Sequence, residues 1–161
     1  MEIKTRQIVQ EDLDAIMEIQ EASYSKEYQE GRETFEKMFE GYPEGFKIVL
    51  VDDEIAGYVF YHPAFEDKLQ DLNETTLEIT GNENCMYLHD MAIHPKFRKL
   101  GLTRKLFECF DKATKEKGFR KQALVAVQGS SGFWEKYGFV VTKDVVYGGL
   151  PSHYMKREIK N

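Results

Sequence analysis

The order of apolar and polar positions along the chain predicts alternating strands and helices. Short apolar or alternating runs predict strands at residues 3–9, 46–51, 55–61, 86–93, 123–127, 139–141 and 153–158. Apolar positions three and four residues apart predict helices over about 11–24, 32–39, 102–117 and 130–137. No repeat, linker or low-complexity tract divides the chain, so we expect one α/β domain over residues 1–161.

Residues 63–84 interrupt this pattern with an acidic stretch of poor periodicity. Its charged residues are Glu66, Asp67, Asp71, Glu74, Glu78 and Glu83, with Lys68 as the single cation. A connection of this length is often functional. Two interpretations stay open: a segment that attracts a cationic substrate, or a solvated insertion without a role.

Composition narrows the functional class. The chain has 161 residues, 42% hydrophobic and 31% charged, which is typical of a globular protein. A net charge of −6 argues against general nucleic-acid binding. The apolar runs are too short to cross a bilayer, and no secretory pattern opens the chain, so we expect a cytoplasmic protein. Cys85 and Cys109 are expected to be reduced thiols, and no metal site is expected.

One segment carries the opposite charge. Residues 91–107 contain Lys96, Arg98, Lys99, Arg104 and Lys105 and no carboxylate. They join a predicted strand to a predicted helix, where free backbone N–H groups and the helix dipole favour anions. The segment therefore predicts a small anionic ligand. A nucleotide-binding protein is disfavoured, because neither a Walker loop nor a G-x-G-x-x-G motif is present.

Within this segment, Arg98-x-x-Gly101-x-Thr103 resembles the R/Q-x-x-G-x-G/A pyrophosphate loop of the GCN5-related N-acetyltransferase (GNAT) superfamily. A strand at 88–95 precedes the loop, and residues 132–139 are similar to the F-Y-x-x-x-G-F block of that superfamily. The resemblance implies an α/β (α+β) fold: a central, mixed, largely antiparallel sheet of about seven strands, flanked by about four helices. The sheet would splay between residues 88–93 and 124–127.

The resemblance also implies acetyl-CoA as co-substrate, an amine as acceptor and no metal. The pantetheine arm would pair with the backbone of Met91 and Ile93 as an added strand does. The implied cofactor-binding residues are Met91, Ala92, Ile93, Arg98, Lys99, Leu100, Gly101, Leu102, Thr103, Arg104, Gln128, Ser131 and Trp134. A homodimer is expected, since dimers are common among relatives; nucleic acid and membranes are not expected partners.

The acceptor amine must lose a proton before it attacks, because the pKa of a free alkyl amine is about 10. Regular strand alternation would place Tyr87, His89, Met91 and Ile93 on one face, so His89 or Tyr87 is the candidate base. The alternative is that His89 is a hydrogen-bonded structural residue. Asp90 is expected to be a structural carboxylate that accepts bonds from loop N–H groups.

The proton donor departs from the superfamily pattern. Trp134 stands where relatives carry a tyrosine, and an indole N–H cannot give up a proton near neutrality. Tyr137, Tyr147 or Ser131 would have to serve, or the thiolate would leave unaided. Two functions follow: an acetyl-CoA-dependent N-acetyltransferase acting on a primary amine of a small molecule or peptide by direct attack in a ternary complex, or a catalytically impaired acyl-CoA-binding sensor or interaction module.

Overall fold

A seven-stranded sheet in the order β1-β2-β3-β4-β5-β7-β6 organises the chain. The computed structural model describes residues 1–70, 72–73 and 77–160. The strands are β1 (Ile3–Gln7), β2 (Phe46–Val51), β3 (Glu54–Ala64), β4 (Cys85–Ile93), β5 (Lys121–Ala126), β6 (Val140–Tyr147) and β7 (Leu150–Glu158). Only β4 and β5 are parallel neighbours; the other adjacent pairs are antiparallel. The predicted mixed, largely antiparallel sheet is confirmed.

In the described part of the chain, four α-helices cover the two faces of the sheet, as predicted: α1 (Leu13–Ser23), α2 (Arg32–Gly41), α3 (Leu102–Glu116) and α4 (Ser131–Glu135). The apolar sides of α1 and α2 form one core with β2 and β3, around Phe35, Phe46 and Tyr58. The apolar side of α3 forms a second core with Trp134 of α4 on the other face, around Phe107 and Phe110. Among the described residues, no helix is long and apolar enough to span a bilayer.

Several strand ends differ from the prediction: β5 and β7 begin earlier than predicted, β6 extends to Tyr147, and the ends of β1 and β3 differ for clear physical reasons. β1 stops at Gln7 because Asp12 turns the chain: its carboxylate accepts the Val9 N–H at 2.8 Å and pairs with Arg6 at 2.7 Å. β3 continues through Pro63, which pairs with Met86 of β4. Beyond Phe60, β3 no longer pairs with β2, so the missing proline N–H falls on a local edge where it disrupts no ladder.

The acidic insertion therefore begins at Phe65 and not at Pro63. Asp71 and Glu74 lie outside the described residues. Glu66 pairs with Lys121 and Lys156, both at 3.1 Å, which fixes the start of the segment to the sheet. The insertion is thus anchored to the sheet at this end.

A β-bulge at His89 overturns the predicted strand alternation. Asp90 pairs with Phe60 and Leu88 pairs with Tyr61, so His89 is an extra residue in β4. The bulge reverses the faces that follow it. Met86 and Leu88 before it, and Met91 and Ile93 after it, pack on the α3 side.

Tyr87 and Ala92 pack on the opposite side of β4 from Met91, in separate apolar clusters. The expected single face of Tyr87, His89, Met91 and Ile93 is thus wrong, since alternation holds only within an unbulged strand. The bulge also bends β4 where it leaves its neighbour. The parallel ladder ends at Leu88 and Leu124, which confirms the predicted opening between the two strands.

Gly57 maintains the close approach of β3 to β4 beside this opening. A Cβ at Gly57 would lie 2.5 Å from Ile93 Cδ1 and 2.7 Å from the Ala92 carbonyl oxygen. We expect Gly57→Ala to lower the free energy of unfolding by about 1–3 kcal/mol, the range for overpacking, in urea denaturation. Gly132→Ala in α4 is the control, since a Cβ there meets nothing within 4 Å. Equal stabilities of the two variants would contradict this account.

Candidate active site

The turn that enters α3 is an exposed, cation-rimmed concavity. Gly101 precedes the helix with φ +75°, and no side chain caps the helix N-terminus. Lys99 also has a positive φ, +69°, which folds the turn tightly. The first N–H groups of α3 have no partner within the helix. A cavity of about 480 Å³ opens onto this turn and reaches Met91 and Ile93.

The edge of β4 that faces β5 supplies backbone groups to the same opening. The Met91 carbonyl accepts a hydrogen bond from the Tyr24 hydroxyl at 2.7 Å, and the Ile93 carbonyl accepts one from the Ser23 hydroxyl at 3.2 Å. The backbone N–H of His94 points to the other edge of β4 and donates to the Ala56 carbonyl of β3. Because alternate residues of a paired strand point to opposite edges, the N–H groups of Met91 and Ile93 also face the opening.

Most of the predicted cofactor-binding residues meet at this opening. Those lining the cavity at the turn are Met91, Ala92, Ile93, Arg98, Lys99, Gly101, Leu102, Thr103, Arg104 and Gln128. Trp134 lines a second, inner cavity of about 260 Å³. Leu100 and Ser131 do not line either cavity, and Ser130 takes the place expected of Ser131.

Gln128 stands between the two cavities and lines both. Its backbone has a φ of +54°, and its side-chain oxygen accepts the Ser25 N–H at 2.8 Å. This bond crosses the opening from the end of β5 to the segment after α1. Tyr24 and Met91 also line both cavities, so the two form one continuous cleft.

A buried ion pair lies in the inner cavity. His89 Nε2 is 2.7 Å from Glu30 Oε1, and the two side chains are 5% and 2% exposed. Burial alone would lower the pKa of His89, but the charge and hydrogen bond of Glu30 outweigh it and hold that pKa above its usual value. The structure thus brings His89 to the cavity and gives it a hydrogen-bonded carboxylate partner.

Glu30 lies in the segment between α1 and α2, and hydrogen bonds fix its position there. The Gln20 side chain donates to the Glu30 carbonyl at 2.9 Å and accepts the Glu30 N–H at 2.7 Å. The Asn73 N–H donates to Glu30 Oε2 at 2.7 Å. Each carboxylate oxygen therefore has a partner, and the side chain has little freedom to turn away from His89.

Asp90 is a buried carboxylate, but its partner differs from the expected one. It accepts the Tyr58 hydroxyl at 2.7 Å within the sheet, where a loop N–H group was expected. Burial, and then the charge of Glu30, raise the pKa of Asp90 to about 6. Glu30 and Asp90 together make the inner cavity an anionic environment near neutral pH.

Tyr147 and Tyr87, the other catalytic candidates, are placed differently. Tyr147 lines the inner cavity, and its buried hydroxyl has no hydrogen-bond partner among the described residues. Burial raises the pKa of Tyr147 well above its usual value, so the hydroxyl keeps its proton at neutral pH. Tyr87 packs behind His89 against His62 and does not line this cavity.

Sequence reasoning missed Glu30 and Tyr24. Tyr24 is the last residue of the predicted first helix, and Glu30 follows in a segment without apolar periodicity; both act through contacts about 60 or more residues away. For Glu30 the signal was compositional: an acidic residue, with others nearby, before a predicted helix. Such residues are common at helix starts, so the pattern alone does not single out Glu30.

Comparison with known proteins adds to this geometry. A family model described as Acetyltransferase (GNAT) family matches residues 13–139. No curated protein sequence matches the chain significantly. Among solved structures, the chain is similar to Ard1 from Thermoplasma volcanium, with 16% identity, 100% of both chains covered and a TM-score of 0.81.

Two further solved structures are similar over nearly their whole length. The PaiA N-acetyltransferase from Thermoplasma acidophilum, in complex with coenzyme A, has 18% identity, a TM-score of 0.72 and 98% of this chain and 99% of that chain covered. The ribosomal-protein-S18-alanine N-acetyltransferase from Escherichia coli has 15% identity, a TM-score of 0.73 and coverage of 99% and 96%. At these identities the likeness establishes the fold alone.

The two buried histidines should titrate far apart in an NMR pH titration. Burial, opposed by a weaker hydrogen bond to Pro63, lowers the pKa of His62 to about 4, whereas Glu30 holds that of His89 above about 6.5. In Glu30→Gln, burial should dominate and the pKa of His89 should fall below that value. Glu33→Gln, at an exposed position of α2, should leave it unchanged. A His89 pKa insensitive to Glu30→Gln would contradict the ion pair.

Proposed function

The chain belongs to the acetyltransferase (GNAT) family, and from this premise we propose that it transfers the acetyl group of acetyl-CoA to a primary amine by direct attack in a ternary complex. The observation that carries the proposal is the buried Glu30–His89 pair, which lines the same cavity as the open edge of β4 at Met91. A proton acceptor and backbone donors there would act on one reacting centre.

The residues of the outer cavity suit the diphosphate and pantetheine of the acyl donor. Arg98, Lys99 and Arg104 supply positive charge, and the first N–H groups of α3 supply hydrogen bonds. The N–H groups of Met91 and Ile93 suit the carbonyls of an extended amide-containing chain, which would bind along this edge as an added strand does. Leu100 and Ser131 line neither cavity, so we assign them no contact with the acyl donor.

The proton acceptor of the proposed reaction is His89. Acetyl-CoA, when bound, supplies a thioester whose carbonyl carbon forms a bond to the amine nitrogen while the carbon–sulfur bond breaks. Neutral His89 takes the proton that the amine loses, and Glu30 stabilises the resulting imidazolium.

The N–H of Met91 is assigned to the oxyanion that develops on the thioester oxygen, since it faces the opening without a strand partner. Tyr147 is the hydroxyl that we assign as proton donor to the departing thiolate, and it regains a proton from the nitrogen as the amide forms. The Tyr147 hydroxyl keeps its proton at neutral pH. Tyr147 and Trp134 both line the inner cavity. Trp134 shapes the cavity wall against Phe107 and has no proton to give.

Gly101→Asp should weaken CoA binding by about 100-fold or more in titration calorimetry, since like charges in a binding site cost several kcal/mol. The chain offers a matched control in Gly118 at the other end of α3. Gly101 has φ +75° and Gly118 φ +76°, and a Cβ at either meets nothing within 4 Å. Gly118→Asp should bind CoA as the wild type does. Equal affinities of the two variants would rule out the turn as the diphosphate site.

The pH dependence of kcat/KM should report His89. The rate should fall as the pH drops through the His89 pKa, because protonated His89 cannot accept a proton; the inflection is expected above about pH 6.5. Glu30→Gln should move this acid limb to lower pH, since removing the carboxylate lowers the His89 pKa. His89→Asn should lower kcat by about 100-fold or more. An acid limb that does not move in Glu30→Gln would exclude the pair as the base.

A sensor that binds acyl-CoA without turnover is the second candidate, and the tryptophan at position 134 favours it. The two functions differ in one measurement: the release of free thiol from acetyl-CoA, stimulated by a panel of amines. Amine-stimulated release supports the enzyme. CoA binding without release across the panel supports the sensor.

A further inference from the structure

The inner end of the cleft forms a chamber whose shape and charge restrict the acceptor. We define the acceptor chamber by Tyr28, Glu30, Leu72, Asp90 and Tyr147, which line the inner cavity. Its two carboxylates are buried within the protein. Its remaining walls are aromatic or aliphatic.

The turn between β6 and β7 closes one side of the chamber. A Cβ at Gly148 would lie 2.6 Å from the Glu27 carbonyl oxygen, 2.9 Å from Leu72 Cδ1 and 3.3 Å from Tyr28 Cδ1. The turn therefore touches both the segment after α1 and the acidic insertion, with no space for a side chain between them. A polypeptide acceptor bound with its end in the chamber could not leave through this side.

The insertion closes a second side. Asn73 accepts the Gly31 N–H and the Thr34 hydroxyl on its side-chain oxygen, both at 2.9 Å, and donates its own N–H to Glu30 at 2.7 Å. These three bonds fix Asn73, and the adjacent Leu72, to the start of α2. The wall is thus part of the folded site, built on the same carboxylate that holds His89.

The charge of the chamber selects among small molecules. Among the described residues, Glu30 and Asp90 are the carboxylates that line the inner cavity; His89 lines it as well, and no Lys or Arg does. A ligand with its own carboxylate would add a third carboxylate to this buried site, where the imidazole of His89 is already paired with Glu30, and like charges at low dielectric are costly. An ammonium group would be favoured on entry, before it gives its proton to His89.

An unpartnered polar group indicates that the chamber receives a ligand. The Tyr147 hydroxyl is buried and lacks a hydrogen-bond partner among the described residues. Buried polar groups are normally paired, and an unpaired one costs about 1–3 kcal/mol. Glu30 and Asp90 lie close enough to contribute to the raised pKa of Tyr147, so the hydroxyl shares their environment.

We propose that the acceptor is a small primary amine without a carboxylate, enclosed in this chamber, and not the end of a polypeptide. The inference rests on the proposed acetyltransferase function and narrows its acceptor. It also separates this chain from the neighbour named for acetylating a ribosomal-protein alanine, which shares the fold.

Pentylamine and 4-aminobutyrate are a matched pair for the test, since they have similar length and differ mainly in the carboxylate. We expect kcat/KM for pentylamine to exceed that for 4-aminobutyrate, and for an alanine-first tetrapeptide, by at least about tenfold, the ratio that about 1.4 kcal/mol produces. Calorimetry in the presence of CoA supplies a readout without turnover: pentylamine should bind and pentanoate should not.

Variants test the cause of this selectivity. Asp90→Asn removes one charge of the chamber and should reduce the ratio of kcat/KM for pentylamine to kcat/KM for 4-aminobutyrate. Glu33→Gln, at the exposed start of α2, should leave this ratio unchanged. Leu72→Ala should open the wall and raise the relative rate of the tetrapeptide.

Equal or faster turnover of 4-aminobutyrate or the tetrapeptide by the wild type would overturn the inference and leave the acetyltransferase function standing. An unchanged selectivity in both Asp90→Asn and Leu72→Ala would also overturn it. Absence of turnover with every amine would contradict the proposed function itself, and the inference with it.

Discussion

From Leu88 onward, no strand among the described residues lies beside one edge of β4, although this edge lies inside the protein. Buried backbone polar groups need partners, so this arrangement is stable only if other groups supply them. At the end of α1, the hydroxyls of Tyr24 and Ser23 donate to the carbonyls of Met91 and Ile93. The corresponding N–H groups are left facing the cleft. The folded chain therefore presents a strand edge that is satisfied on its acceptor side and available on its donor side.

The bulge at His89 joins this backbone feature to the charged chamber. A regular strand would have kept His89 and Asp90 on opposite faces. With the extra residue in β4, His89 pairs with Glu30 between α1 and α2, and Asp90 accepts the hydroxyl of Tyr58. Burying two carboxylates near each other is unfavourable, as the raised pKa of Asp90 indicates. The imidazole of His89 and the hydroxyl of Tyr58 offset this cost. Charge that is expensive to bury is retained here next to the open strand edge.

The sequence predicted the layers of this fold well, because apolar spacing and turn residues are local signals. The anion-binding turn could also be predicted, since five cations and Gly101 lie within one short segment. The bulge could not, because it is defined by the register of β4 against β3. Glu30 was missed for a related reason: its partner lies 59 positions away in the chain. Pro63 misled the prediction because the sequence does not indicate where the pairing of β3 with β2 ends.

The availability of the β4 edge is the claim on which the account depends, and amide hydrogen exchange measures it at single residues. The N–H of His94 bonds to β3 and should be protected with or without ligand. The N–H groups of Met91 and Ile93 should exchange faster in the free protein and slow markedly when CoA binds. If both amides were already as protected as His94 without ligand, or if saturating CoA left their exchange unchanged, β4 would not be the edge that receives the acyl donor.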